Sequence, residues 1–576
     1  MKTFVQAFFA SLLAVVVLIV VIAGAVIQKL DKKEKIKDHS YLVVDIYGDV
    51  LEYNLPGNGL ASVMSGKPET LQRVLSNLEK VRVDDRIDGV IMKISASNSA
   101  GAAMIEEMRN AIKKVEASGK PVYAFTDNLD KKAVYLAAAC DSIFLTPEGY
   151  VMFTGMLSTS MHAKNMLDKL GIRPNIHKIR EYKSAAELVT RTDDSPEAKE
   201  NREWLMDEMW DMTMDAVSKD RHLTVDKLVE CMEHALFSPQ EAKDAGLVDD
   251  LMYWPELEKR LMREGDEKLR TVSQERYAQV KPEKLGLKGK KKIAVVHAQG
   301  MIGGRESGVN PMLGVMMGHE TVCAELRRAL EDKDVAGVVF RIDSRGGESL
   351  ASDIISHEVD IVGHEKPVVA SMVDVAASGG YMIAYRATKM IADPTSITGS
   401  IGSISGKFNM KGFYDKLGIT HDHITKGPMA MLFSDDQDFT PEERARFEQN
   451  HWDGFNAWLR DVAAHRGMTM EQAEKLAYGR VWTGRQAKGN GLIDELGGLD
   501  DAIALVKTLA EIPADEKVTV VHYPKEKSLL STLFGGGNAT AAVQWVAYRL
   551  FHNELVEGMN SPAYRTYYVM DEAAVE

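Results

Sequence analysis

The chain has 576 residues, 45% of them apolar and 27% charged, with a formal net charge of −14. Such a length implies several domain-sized units with ample apolar material for their cores, and the acidic balance argues against nucleic acid as a main partner. The three cysteines, Cys140, Cys231 and Cys323, form neither a metal pattern nor a disulfide framework, and neither a metal nor another cofactor is expected.

The N-terminal segment, 1–37, contains "AFFASLLAVVVLIVVIAGAVI", 21 uncharged residues from Ala7 to Ile27. At 1.5 Å per residue this run spans roughly 30 Å, the thickness of a bilayer core. It exceeds the roughly 7–15 apolar residues of a cleaved signal peptide, so a retained membrane helix over about 7–27 is preferred to cleavage at Ala23-Gly24-Ala25. Lys29, Lys32, Lys33, Lys35 and Lys37 follow it, partly offset by Asp31 and Glu34. By the positive-inside rule alone, this flank keeps the body of the protein cytoplasmic.

From residue 38 onward strands and helices alternate. "YLVVDIYG" is a short apolar strand ending at Gly48, and "GVIMKIS" has the continuous apolar character of a strand buried in a parallel sheet. Ile105, Met108, Ile112 and Val115 then fall on one helical face. "KPVYAF" is a further strand, and "YLAAACDSIFL" a helix running into a strand. Leu205, Met209, Met212 and Ala216 mark a longer amphipathic helix whose apolar face is read as core. The class is α/β with crossover units.

The same text is then written again. "DKLGI" at 168–172 returns at 415–419, "AKDAGLVDDL" at 242–251 as "AKGNGLIDEL" at 487–496, and "KPV" at 120–122 recurs at 366–368. These separations, with that of "DGVIMKI" from "AGVVFRI", all lie between 245 and 248 residues, which marks a tandem duplication. The first repeat is placed at 38–255, a charged connector at 256–289, the second repeat at 290–512 and a C-terminal extension at 513–576. Trp452, Phe455, Leu459 and Val462 mark the long helix of the second copy.

The copies differ where chemistry is expected. "DVAASGGYMIA", Asp374 to Ala384, places Ser378 among small residues where a strand gives way to a helix, a turn suited to an exposed nucleophile. At an offset of 246, Ser378 falls on Lys132 of the first copy. "RIDSRGGES", Arg341 to Ser349, carries Gly346 and Gly347 between a strand and a helix, whereas the first copy has "KISASNSAG". An oxyanion hole would combine the N–H of Gly379 with that of Gly346 or Gly347.

The base is harder to find. His297, His319, His357, His364, His421 and His423 lie in the second copy, none in a small-residue turn like that of Ser378. Lysine is the alternative, provided burial favours its neutral form; Lys389, Lys407 and Lys426 are candidates. The first copy offers Lys183 in "IREYKSAAE", and the matching segment "ITKGPMAML" puts no amine there. One copy kept a lysine and the other a serine.

"EYKSAAE", "DSRGGE", "AASGGYMIA" and "ITGSIGSI", in that order, resemble the long, tandem-repeat form of the signal peptide peptidase A (protease IV) family over nearly the whole chain. The resemblance implies two Clp protease/crotonase-like domains after an N-terminal transmembrane helix and a Ser/Lys dyad split between the repeats. Ser378 would be the nucleophile, Lys183 the general base, Ser400 the residue that orients the lysine, and Gly379 with Gly346 or Gly347 the oxyanion hole. It further implies a serine endopeptidase of the bacterial inner membrane, with its catalytic body in the periplasm. Its substrates would be remnant signal peptides and other apolar peptides, and its assembly a homo-oligomer, a tetramer by resemblance. The lysine-rich flank conflicts with that sidedness. Asp343 and Arg345 stand where the family usually has Asn and Pro. Two other readings use the same residues: an inactive membrane scaffold, and a crotonase-type acyl-CoA enzyme with the same oxyanion loop.

Overall fold

The computed structural model describes residues 36–54, 69–310 and 313–525. The expected membrane helix at 7–27, Lys29 to Lys35 of its flank and the extension beyond 525 lie outside the described residues. Among the described residues no helix is long and apolar enough to cross a membrane.

Each half builds one mostly parallel sheet. In the first, the strands run Thr271–Ser273, Ser40–Gly48, Ile87–Asn98, Val122–Asp130, Ser142–Phe153 and Ala235–Phe237, with Asp250–Leu251 also against Ser142–Phe153. In the second, the order is Val481–Thr483, Ile397–Gly399, Val368–Ala377, Val335–Ser344, Lys292–Gln299 and Thr519–Tyr523, and Lys389–Ala392 bridges Val368–Ala377 to Glu495–Leu496. The inner strands are buried on both faces, as Val90, Ile91 and Met92 or Val338, Val339 and Phe340 illustrate. Unbroken apolar runs therefore form them, and helices cover them. The predicted helix is Ala102–Ala117, with Ile105, Met108, Ile112 and Val115 all buried. The long helices are Pro196–Arg221 and Pro441–His465, each opened by a Ser or Thr cap and a proline in the first turn.

Matching residues of the two copies do the same structural work. Lys120 Nζ donates to the carbonyls of Val81 and Asp84, both at 2.7 Å, and Lys366 Nζ to those of Ala329 and Asp332 at 3.2 and 2.8 Å. Each lysine thus satisfies carbonyls left open at a helix C-terminus. Arg221 binds the Gly246 carbonyl and Asp249, and Arg466 binds the Gly491 carbonyl and Asp494.

Two segments differ from the sequence expectation. Thr271–Ser273, inside the charged connector, is an edge strand beside Ser40–Gly48. Thr519–Tyr523, inside the C-terminal extension, takes the corresponding place beside Lys292–Gln299. Both edge strands are short and bury few side chains, Val272 in one and Tyr523 in the other, too few to show a two-residue period. The strand before Ser378 is also irregular. In the first copy Asp130 caps the helix Lys131–Ala137, and in the second Ser378 precedes the helical turn Gly379–Met382. The register of the second copy jumps between Ile342/Met372 and Ser344/Ala376, so extra residues bulge out of the strand that leads to Ser378.

The halves are joined through buried charge. Arg341, 1% exposed, donates to Glu52 Oε1 at 3.0 Å, to Ser371 Oγ at 2.9 Å and to the Glu107 carboxylate. Glu52 also meets His297 Nδ1 at 2.5 Å, and His297 Nε2 meets His522 Nδ1 at 2.9 Å. Tyr53 stacks on the His297 ring at 3.9 Å. Glu52 and Glu107 belong to the first half, and Arg341, His297 and His522 to the second sheet. Burial alone would raise the Glu52 carboxyl, but His297 and Arg341 overcome it and hold the group at about 2. Burial, helped by His297, pushes His522 down to about 3.

Both shifts predict acid sensitivity. His522 stays neutral in the fold but takes a proton near pH 6.5 once unfolded, and Glu52 is ionised in the fold below the pH at which the unfolded chain protonates it. Stability is therefore present above pH 6.5 and is lost as pH falls toward 3. Thermal melts should show Tm falling over that window, and His522→Gln should flatten the upper part of the fall. Arg341→Ala, which strands two buried carboxylates, should destabilise the protein by about 3–5 kcal/mol in denaturant titrations.

Candidate active site between the halves

A strand from each half pairs across the boundary. Arg173–Ile179 runs antiparallel to Ser403–Asn409, with Ile179 opposite Ser403 and Arg173 opposite Asn409. Lys183 follows this ladder in the first half and Ser400 precedes it in the second. Ser400 itself lies in the short link between two ladders, since Ile397–Gly399 pairs with Val481–Thr483.

Lys183 is 7% exposed and Ser400 8%. The Lys183 Nζ donates to Ser400 Oγ at 2.9 Å and lies 3.3 Å from the Ser400 carbonyl. The Ser378 N–H donates to the carbonyl of the adjacent residue, Gly399, at 2.9 Å. The 399–400 turn thus holds the lysine by its amine and the serine by its backbone. Sequence separations of 195 and 217 residues are closed by two hydrogen-bonded contacts.

Ser378 has φ 56° and ψ −118°, a conformation that costs a residue with a side chain about 1–3 kcal/mol. It is half-buried, directly after a buried strand and before the helical turn Gly379–Met382. A sharp turn of this kind lifts a side chain out of the sheet edge. Glycines make the approach possible. A Cβ on Gly346 would lie 2.7 Å from the Gly379 nitrogen and 2.8 Å from Ser378 Cβ, and one on Gly379 would lie 3.1 Å from the Gly347 nitrogen. Gly346 and Gly347 have φ 105° and 143°, open to glycine alone. The Gly346 N–H already donates to Ser344 Oγ at 3.2 Å, so of the two loop amides that of Gly347 is the better placed to join Gly379 in holding an oxyanion.

The other candidates sit elsewhere. Lys389 binds Asp494, Lys407 donates to the Ser434 carbonyl, and Lys426 is exposed. His297 is committed to the buried charge cluster, His319 to the Gly304 carbonyl and His423 to Asp436. Asp343, near the end of the strand Val335–Ser344, accepts from the Val375 N–H at 3.2 Å and so fastens the approach to the Gly346-Gly347 loop to the strand leading to Ser378. Sequence reasoning missed Tyr478-Gly479-Arg480. The Tyr182 N–H donates to the Tyr478 carbonyl at 2.9 Å, the Gly479 N–H to Ile401 at 3.0 Å and the Ser400 N–H to Arg480 at 2.8 Å. A Cβ on Gly479, whose φ is 81°, would lie 2.4 Å from the Lys183 nitrogen. The one signal in the sequence was a glycine just ahead of the "RVWTG" strand.

Comparison with known proteins bears on the family of the chain. The model of peptidase family S49 matches residues 114–268 and 361–513, one match in each half. The chain is 33% identical over 473 residues to the chloroplastic serine protease SPPA of Arabidopsis thaliana, covering 81% of this chain and 70% of the relative. It is 31% identical to Protease 4 of Haemophilus influenzae, over 82% of this chain and 79% of the relative, and 31% identical to Protease 4 of Salmonella typhi, over 76% and 72%. Among solved structures, a membrane-bound stomatin-specific protease aligns with 41% of this chain and 99% of its own, at 14% identity and a TM-score of 0.26.

The crowding at Gly346 makes a direct test. Gly346→Ala must displace the Gly379 amide or the Ser378 side chain, and should slow labelling of Ser378 by a fluorophosphonate by about 10²-fold or more. The melting curve should remain cooperative.

Proposed function

Because the chain belongs to peptidase family S49 and is a serine protease, we propose that it cleaves peptide bonds with a dyad of Ser378 and Lys183, one residue from each half. The observation that carries this reading is the Lys183 Nζ–Ser400 Oγ contact at 2.9 Å, formed beside the residue whose carbonyl holds the Ser378 N–H. The first repeat domain, 38–255, supplies the base and the second, 290–512, the nucleophile.

In this mechanism neutral Lys183 takes the Ser378 proton as Ser378 Oγ attacks the scissile carbonyl carbon. The N–H groups of Gly379 and of the Gly346-Gly347 loop hold the negative oxygen of the tetrahedral intermediate. The Lys183 ammonium then gives its proton to the leaving nitrogen, the C–N bond breaks, and an ester on Ser378 remains. Water, deprotonated by the same amine, hydrolyses it. A base at neutral pH needs a neutral amine, and the Lys183 side chain that would supply it is buried. Ser400 orients the amine toward Ser378.

The substrates we infer are apolar peptides, including remnant signal peptides, presented as extended strands. The assignment rests on the uncharged segment at 7–27, read as a membrane helix beside which such peptides accumulate, and on the resemblance to signal peptide peptidases. The same resemblance supports Clp protease/crotonase-like domains, a homo-oligomer, tetrameric in the family's pattern, and a place on the bacterial inner membrane with the catalytic body in the periplasm.

Ser378→Ala and Lys183→Ala should each abolish cleavage of casein and of a synthetic signal peptide while both proteins remain folded. Ser400→Ala should lower kcat about tenfold or more with little change in KM. Full activity in the Lys183→Ala protein would refute the split dyad. The wild-type rate should rise with pH as Lys183 loses its proton, a limb absent from Lys183→Ala.

A further inference from the structure

Two arginines are exchanged across the boundary on either side of Lys183. Arg180, from the first half, sits over the rings of Trp452, Phe455 and Tyr478 of the second, with centroid distances of 5.5, 5.8 and 5.2 Å, and pairs with Glu474. Arg480, from the second half, sits over Tyr182 and Trp204 of the first at 4.7 and 4.5 Å and over its own neighbour Trp482 at 5.4 Å. It pairs with Glu200 at 2.5 Å, and Tyr182 donates to the same carboxylate at 2.8 Å. The two guanidinium groups are largely buried, with 14% and 16% of their side chains exposed. Cation–π contact is strongest in such surroundings.

The backbone links these cages to the amine. Lys183 lies between Tyr182, which Arg480 covers, and the 3-10 turn Ser184–Ala186. Arg180 has φ 78°, a left-handed conformation that a residue with a side chain holds only when its surroundings enforce it; its cage does so. The Tyr478 ring completes the Arg180 cage while the Tyr478 carbonyl receives the Tyr182 N–H. The Arg480 carbonyl receives the N–H of Ser400, the residue that binds the Lys183 amine. Arg180 therefore grips the opposite half from a position three residues before Lys183, and Arg480, whose carbonyl binds Ser400, grips Tyr182, one residue before the lysine.

We propose that Arg180 and Arg480 are positioning residues for the reaction, a reciprocal clasp that sets the Lys183 amine against Ser400 and Ser378. Neither touches the reacting atoms. The inference rests on the split-dyad reading. Around the lysine the charged and titratable groups of the clasp are Arg180, Tyr182, Glu200, Glu474, Tyr478 and Arg480. Loosening either cage admits water to Lys183, favours its ammonium and leaves the amine in several positions. The rate should then fall through kcat, and the pH at which the base becomes active should rise.

The test follows the rate of fluorophosphonate labelling of Ser378, and of peptide cleavage, against pH in Arg180→Ala, Arg480→Ala, Glu200→Gln and Lys183→Ala. Rates are normalised to the folded fraction read from the melting amplitude. The expected result is a kcat about tenfold lower in each arginine variant, KM within about twofold, and an ascending pH limb displaced upward by about one unit, so that activity is partly recovered at high pH. Glu200→Gln, a surface change, should displace the limb in the same direction by less, and it serves as the decisive variant if an arginine variant does not fold. An unmoved limb and unchanged kcat in folded Arg480→Ala or Glu200→Gln overturn the clasp. If Lys183→Ala is inactive in the same experiment, only the clasp has failed; if Lys183→Ala labels as the wild type does, the dyad has failed first.

Discussion

The molecule depends on one short antiparallel ladder, Arg173–Ile179 against Ser403–Asn409, in which each half lends a single strand to the other. Neither large sheet contains these strands. They are the place where the two halves become one hydrogen-bonded object, and the candidate site is its continuation. Lys183 lies four residues past Ile179 and Ser400 three residues before Ser403, the two residues paired at the same end of the ladder. A ladder fixes separation and direction together, so the approach of Nζ to Oγ is set by backbone pairing rather than by the long, flexible lysine chain. The glycines at 479 and 402 let the second half's backbone approach Lys183, where a Cβ would lie 2.4 Å from the Lys183 nitrogen and 3.3 Å from its Cβ, respectively.

Around this seam the structure holds conformations that isolated residues avoid. Arg180, Ser378 and Ser400 have φ of 78°, 56° and 51°, and at about 1–3 kcal/mol each they need packing to sustain them. It comes from the exchanged arginines, from the Asp374 carboxylate, which accepts from the Ala103 and Met104 N–H groups of the other half at 2.9 and 3.1 Å, and from the buried Arg341 cluster. Buried ion pairs are weak contributors to net stability but severe on misassembly, because an unmatched buried charge costs several kcal/mol. Arg341 with Glu52 and Glu107 is satisfied only when the halves dock in this one relation. That same relation brings the Lys183 and Ser378 segments together.

The sequence made the duplication legible through repeated words at a constant spacing, and the S49 match in each half answers to it. Comparing the copies singled out Ser378, Gly346, Gly347 and Lys183, because a residue missing from one copy stands out against the other. What stayed hidden was of two kinds. The edge strands Thr271–Ser273 and Thr519–Tyr523 are too short for periodicity. The bulge that lengthens the approach to Ser378 changes pairing without changing composition. The segment 478–480 was invisible for a different reason. Its work is done by carbonyl and amide groups that every residue carries, and by an arginine that looks like any surface charge until its aromatic cage, drawn mostly from the other half, is folded around it.

The order of the chain gives the seam a meaning in time. Synthesis runs from the lysine half to the serine half, and the Ser400 N–H finds its acceptor only at residue 480. A ribosome that has produced Lys183 and even Ser378 has therefore not yet produced the frame that joins them. A chain cut just before residue 480 would hold Lys183, Ser378 and Ser400 but lack the carbonyl that receives the Ser400 N–H.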